Sequence, residues 1–362
     1  MVVFLIVLVT FGALLELLSL RDNLSRIHYH CIPSTLGSEP DEVFTLHTTI
    51  SNYGLRTIPF LRLEEMFPKE IHVLGEDDVI PNDRYYTHSG LLYIRGRQKV
   101  TREVQVSLPK RGLYYFEGCR MFCGDFLGIS ENSREIEQRE EMIIFPKLLQ
   151  DDSVIQALSG YYGDFSARRF FTEDPILVSS YREYSGREPM RSISWPQSAR
   201  KNELIVKEFD HTMDMSATIV LDSYLHWSDG SHTDQIEYCF SLVRTIAEFL
   251  EQKKVSYRLL TNAYVNNGST MCEVLMQAGQ GPNHLSSLLV TLARAIPDSF
   301  HSPDDLYHIA IQNYSGENAI FYIAPFENEK RANLVKNLRN RLGCQIYPIY
   351  AAERLEVTKD AG

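Results

Sequence analysis

The sequence predicts a multidomain α+β protein: an N-terminal membrane helix, an immunoglobulin-like β-sandwich, then a doubly wound α/β domain. Three observations predict it. Residues 1–20 form a mainly apolar run whose only charge is Glu16. Residues 21–150 hold short runs in which apolar and polar side chains alternate, the period of a half-buried strand. Beyond residue 213, short continuous apolar runs alternate with stripes of helical spacing, the pattern of βα units. The predicted boundaries are 1–20 for the helix, 21–150 for the sandwich, 151–213 for a linker and 214–362 for the α/β domain.

About 20 apolar residues cross a bilayer as a helix, so the first segment is just long enough. A signal peptide would carry basic residues before its apolar core and small residues after it, and neither is present. Arg21 and Arg26 follow the segment and no basic residue precedes it. The positive-inside rule therefore predicts a single-pass cell-membrane protein with cytoplasmic domains.

The sandwich is read from runs such as residues 42–50 and 103–108, about seven in all. Turn-formers punctuate them, among them Ser51-Asn52-Tyr53-Gly54 and Lys110-Arg111-Gly112. His28 and His30 share one side of the first run beside Cys31. With no second cluster at ligand spacing, strand surface is the better reading than zinc. The six cysteines show no paired CxxC spacing and read as free thiols of a reducing compartment.

In the last region, residues 217–221 are a continuous apolar run, as in a strand covered on both faces. Ile236, Phe240, Val243, Ala247 and Leu250 then form one helical stripe. Further strands are predicted at 257–261, 271–277, 319–324 and 345–350, and further helices at 284–295, 303–312 and 328–342. A mostly parallel, doubly wound sheet follows, with its crevice at the carboxyl ends of the strands.

Between these regions lies a segment with Arg182, Tyr184, Gly186, Arg191, Ile193, Trp195, Ser198, Ala199, Arg200, Glu208 and Phe209 in order. It resembles the signature of the domain of unknown function 58 family, and Arg111-Gly112-Leu113-Tyr114 and residues 124–128 resemble that family's sandwich motifs. Arg187 stands where the family has aspartate, no proline follows Asp125, and one apolar run replaces the usual pair. The resemblance implies a membrane-anchored protein with a von Willebrand factor A-like second domain. It also implies a MoxR-type AAA ATPase as partner, in the assembly or activation of protein complexes.

Residues 182–207 carry six basic and three acidic side chains, a local excess of three positive charges on a chain of net charge -11. That net charge repels phosphate backbones and sets nucleic acid aside as a main partner. Arg182, Tyr184, Arg191, Trp195, Ser198 and Arg200 are the candidate partner-binding residues, since arginine and flat aromatics dominate interface hot spots. The competing reading makes Ile193 and Trp195 a plug between domains.

A magnesium-binding von Willebrand factor A domain uses Asp-x-Ser-x-Ser after its first strand, because a hard cation needs hydroxyl and carboxylate oxygens. Here Asp222 is followed by Tyr224 and His226 at the serine positions, a degenerate set that predicts no metal. No nucleophile elbow, phosphate loop or HExxH pair is present, and Gly279-Gln280-Gly281-Pro282 lacks the Walker lysine. The expectation is a non-enzymatic interaction or adaptor protein without cofactor. The alternatives are a membrane-linked hydrolase using an unpatterned site such as Cys272 or His284, and a purely structural membrane scaffold.

Overall fold

The structure, a computed structural model, describes residues 4, 6, 10, 24–75, 79–81, 85–124, 131–150, 152–169, 178–186, 188–209, 215–225, 233–266, 271–297 and 302–353. The chain divides into two compact units, Met1–Lys147 with Val290–Arg294, and Leu148–Leu289 with Ala295–Gly362.

The first unit is built from two sheets around one apolar core. Its strands are β1 (Ile27–Pro33), β2 (Gly37–Ser38), β3 (Phe44–Asn52), β4 (Ile58–Phe67), β5 (His72–Val73), β6 (Val79–Pro81), β7 (Tyr86–Ile94), β8 (Lys99–Ser107), β9 (Gly112–Gly124) and β10 (Glu131–Ile144). One sheet has the order β1-β3-β8-β5, the other β2-β10-β9-β4-β7-β6. Neighbours run antiparallel except the short β2–β10 pair. Alternation explains the packing: along β1, Ile27, Tyr29, Cys31 and Pro33 are buried while His28, His30 and Ile32 face out. Leu46, Ile50, Leu61, Leu63, Val106 and Met121 fill the space between the sheets.

Among the described residues, Gly118 is the one strand glycine whose backbone demands it. Its φ is +100°, and an added Cβ would lie 2.1 Å from the Ile136 carbonyl oxygen. It sits beside the register shift between Glu137 and Glu140 in β10, a bulge that a side chain would force apart. Gly118→Ala is expected to destabilise the unit by about 1–3 kcal/mol, read as a lower urea midpoint at unchanged slope.

In the second unit, β11 (Val178–Glu183) and β12 (Ile205–Phe209) pair as a two-stranded sheet. A five-stranded sheet has the order β15-β14-β13-β16-β17, from β13 (Ser216–Leu221), β14 (Ser256–Asn266), β15 (Met271–Gly279), β16 (Ala319–Ala324) and β17 (Gln345–Tyr350). The helices are α1 (Asp152–Arg169), α2 (Trp195–Lys201), α3 (Thr233–Gln252), α4 (Pro282–Arg294, whose last five residues are assigned to the first unit), α5 (Pro303–Gln312) and α6 (Glu329–Leu342). The stripe Ile236, Phe240, Val243, Ala247 and Leu250 on α3 is buried. Leu306 of α5 and Val335 and Leu338 of α6 pack with Val220, Leu260, Ile320 and Ile346.

Three expectations are corrected. The chain is not a membrane helix, a sandwich and a von Willebrand factor A-like doubly wound domain: strands dominate, seventeen against six α-helices among the described residues, in four sheets. The C-terminal sheet is mostly parallel, as expected, in the pairs β13–β14, β13–β16 and β16–β17, but its edge strand departs from the doubly wound pattern. β15 runs antiparallel to β14 because only residues 267–270 join them, and a parallel return needs a crossover of a dozen residues or more. No helix among the described residues is long and apolar enough to cross a membrane. The longest, α3, has 20 residues but carries Asp234, Glu237, Arg244, Glu248 and Glu251. The expected span at 1–20 lies, apart from Phe4, Ile6 and Thr10, outside the described residues. The single-pass cell-membrane location, and with it the cytoplasmic placement of the domains, loses its support.

Candidate functional site

The segment from β11 to β12 folds on itself. Tyr184 N–H donates to the Leu204 carbonyl at 2.8 Å and Ser194 N–H to that of Ile205 at 2.8 Å. The Ser198 hydroxyl donates to the Ser194 carbonyl at 2.9 Å and accepts from Ile205 N–H at 2.9 Å. Ser198 is thus buried and committed inside the segment, with Ile193 beside it. Arg182 Nη1 lies 2.7 Å from Glu188 Oε1. The Ser185 hydroxyl, ahead of the Arg182 guanidinium, holds Glu188 down to about 2.

Outward, the picture reverses. Trp195, the first residue of α2, is 59% exposed and Met190 is 69% exposed. Arg182, Arg191 and Arg200 are also exposed, and Tyr184 is half-buried. Of the residues singled out by sequence, the structure therefore gathers Arg182, Tyr184, Arg191, Trp195 and Arg200 on one closed hairpin and turns Ser198 inward. Met190 was missed: a methionine beside an arginine in a single 3-10 turn, Met190–Ser192, gives no periodic signal.

Asp222 is at the carboxyl end of β13 and has no exposed surface. Its Oδ1 accepts from Asn262 Nδ2 at 2.9 Å and from Tyr224 N–H at 3.0 Å; its Oδ2 accepts from Tyr322 Oη at 3.0 Å and Arg331 Nε at 2.8 Å. Arg331, on the first turn of α6, is itself buried. Burial works against its charge, but the carboxylate of Asp222 overrides this and holds it protonated above the usual arginine value. Burial and the same carboxylate push the Tyr322 hydroxyl far up, so it stays a donor. Tyr224 contributes backbone rather than its ring, and His226 lies outside the described residues. Sequence reasoning found Asp222 and missed Arg331.

The glycine turn before α4 is filled in the same manner. Gly281 N–H donates to both carboxylate oxygens of Glu251, at 2.8 and 3.0 Å. A helix N-terminus favours an anion, and here α3 supplies it. His284 Nε2 lies 2.9 Å from the Tyr257 carbonyl oxygen, which ties the imidazole to backbone. The side chain of Cys272 is outside the described residues.

A third cluster, also missed, lies in the first unit. Glu65, fully buried on β4, accepts from Tyr29 Oη and Thr48 Oγ1, each at 2.8 Å, and its Oε2 is 2.9 Å from His88 Nδ1. Arg102 Nη2 lies against the imidazole, 2.6 Å from His88 Nε2 and 3.1 Å from Nδ1. A carboxylate only accepts, so it is His88 Nδ1 that carries the proton aimed at Glu65.

Fold and sites together describe a β-rich, two-unit protein in which, among the described residues, Glu65, Asp222 and Arg331 are buried charges met by the chain's own side chains. No family model matches the chain. It is 20% identical over 173 residues to the uncharacterized protein YeaD of Bacillus subtilis, a match covering 47% of this chain and 42% of that relative, so under half of the relative's length is spanned. Among solved structures it is similar to the CARDB domain of a Pyrococcus furiosus protein crystallised with di-metal ions, at 6% identity and TM-score 0.20, covering 33% of this chain and 89% of that one. A cohesin module from a Clostridium perfringens family 33 glycoside hydrolase gives 10% identity and TM-score 0.24, covering 33% and 96%. The sporulation control protein Spo0M of Bacillus subtilis gives 13% and 0.20, covering 44% and 58%.

Proposed function

We propose that this chain is a non-enzymatic interaction or adaptor protein, and that the hairpin from β11 to β12 is its contact surface for a MoxR-type AAA ATPase. The partner class comes from the resemblance of Arg182, Tyr184, Arg191, Trp195 and Arg200 to the domain of unknown function 58 signature. One observation carries the reading: a tryptophan left 59% exposed on a segment whose own hydrogen bonds are closed. Large aromatics flanked by arginines are the side chains that dominate interface energetics, and a pre-ordered platform loses little entropy on binding. The internal pairing of Asp222 with Arg331 and of Glu251 with the α4 turn supports a binding rather than a catalytic role.

Isothermal titration of the full chain with a purified MoxR-type ATPase tests this. Trp195→Ala is expected to weaken binding about 30-fold, the effect of losing roughly 2 kcal/mol. Arg191→Glu is expected to weaken it by a similar factor, more strongly at low salt. Parental affinity in both variants, or no binding by the parent, would refute the surface.

A further inference from the structure

We propose that the carboxyl end of β13 is a guanidinium-binding cage whose ligand is tethered to it: Arg331 is the resident cation. The planar head uses three acceptor directions. Nε reaches Asp222 Oδ2 at 2.8 Å, Nη2 the Tyr224 carbonyl at 2.6 Å, and Nη1 the Phe326 carbonyl at 3.1 Å. The Phe326 ring lies against the guanidinium, 4.7 Å from its central carbon to the ring centroid, a cation–π contact. Tyr322 and Asn262 hold the carboxylate from the other side.

This acceptor set is chemically selective. It offers one carboxylate, two carbonyl oxygens and an aromatic wall, which match a flat, delocalised single charge. A divalent ion asks for a near-spherical shell of oxygens, commonly with more than one carboxylate. An ammonium is a compact point charge and cannot span the three acceptors at once. The cage walls come from four places: the turns after β13 and β16, and strands β14 and β16. An exchangeable cation would order these turns only when bound; the tether orders them permanently. The arrangement of Tyr224 and Phe326 is therefore independent of ambient ions.

The test is made on the full chain without any partner, so it stands or fails separately from the hairpin reading. Arg331→Ala leaves Asp222 buried without its counter-charge and is expected to lower the melting temperature by about 10 °C. Millimolar methylguanidinium is expected to raise it again in a saturable way while leaving the parent unchanged. Magnesium chloride at equal concentration is expected to do neither, and Arg331→Lys to melt near Arg331→Ala. The double variant Asp222→Asn/Arg331→Met carries neither buried charge and is expected to melt above Arg331→Ala, which keeps the test usable if the single variant folds poorly. A parental melting temperature in Arg331→Ala, an equal recovery with magnesium, no saturable recovery with methylguanidinium, or a double variant melting at or below the single one overturns the assignment.

Discussion

Glu65→Ala is expected to destabilise the first unit by about 3–5 kcal/mol, the range for breaking a buried ionic network by removing one partner. Four groups converge on that carboxylate. Tyr29 and Thr48 donate from the four-stranded sheet, His88 donates from β7, and Arg102 Nη1 lies 3.8 Å away on β8. Without it, a tyrosine hydroxyl, a threonine hydroxyl and an imidazole N–H are left in a core that includes Cys31 and Cys119, and each unmet donor costs about 1–3 kcal/mol. Both tryptophans, Trp195 and Trp227, belong to the second unit. Tryptophan fluorescence should therefore hold its parental urea midpoint while amide exchange in β3 and β4 accelerates. A shift below about 1 kcal/mol in those strands would show that the network is dispensable.

The same carboxylate sets a pH dependence. Burial alone would raise the Glu65 pKa, but hydrogen bonds from His88, Thr48 and Tyr29 and the charge of Arg102 bring it below its ordinary value of 4.5. A carboxylate with a depressed folded pKa contributes stability that is fully present above the unfolded value. That contribution is lost as pH falls through the folded one. The parent should lose stability as pH falls below about 4.5, and Glu65→Gln should show a flatter acid limb. Parallel acid limbs would place the titration elsewhere.

Much of this architecture was legible because it is periodic. Seven strands of the first unit are seven residues or longer, enough for alternation to show; β2, β5 and β6 have two, two and three residues and carry no period. The stripe on α3 was equally plain. The direction of β15 was not, since a run of apolar residues reads the same either way, and its antiparallel course follows from the shortness of its connection. Glu65 could have been found by parity: Leu61, Leu63 and Glu65 share one face of β4, so a charge at that place demands partners. Arg331 was harder. It lies 109 residues from Asp222, and asking which oxygens could ligate a metal overlooks a cation supplied by the chain. Exposure of Trp195 against burial of Ile193 depends on how the hairpin closes, which local pattern does not encode.

Asp222→Ala carries the second large effect and isolates the other unit. The substitution leaves a guanidinium 1% exposed with two carbonyl acceptors and no counter-ion, and is expected to cost about 3–5 kcal/mol. Asn262 and Tyr322 lose the oxygens they donate to as well, so the damage reaches β14 and β16 rather than one side chain. Asp222→Asn should cost less, because an amide oxygen still accepts while the charge is gone. The order of stability is then parent, Asp222→Asn, Asp222→Ala, read from the tryptophan fluorescence midpoint in urea. Amide exchange in β3 and β4 should stay parental. Equal midpoints for Asp222→Asn and the parent would mean that the hydrogen bonds matter and the charge does not. A residue whose ionic partner is a fixed arginine should also show the same ladder in excess chelator and in excess magnesium, because neither competes with a tethered guanidinium.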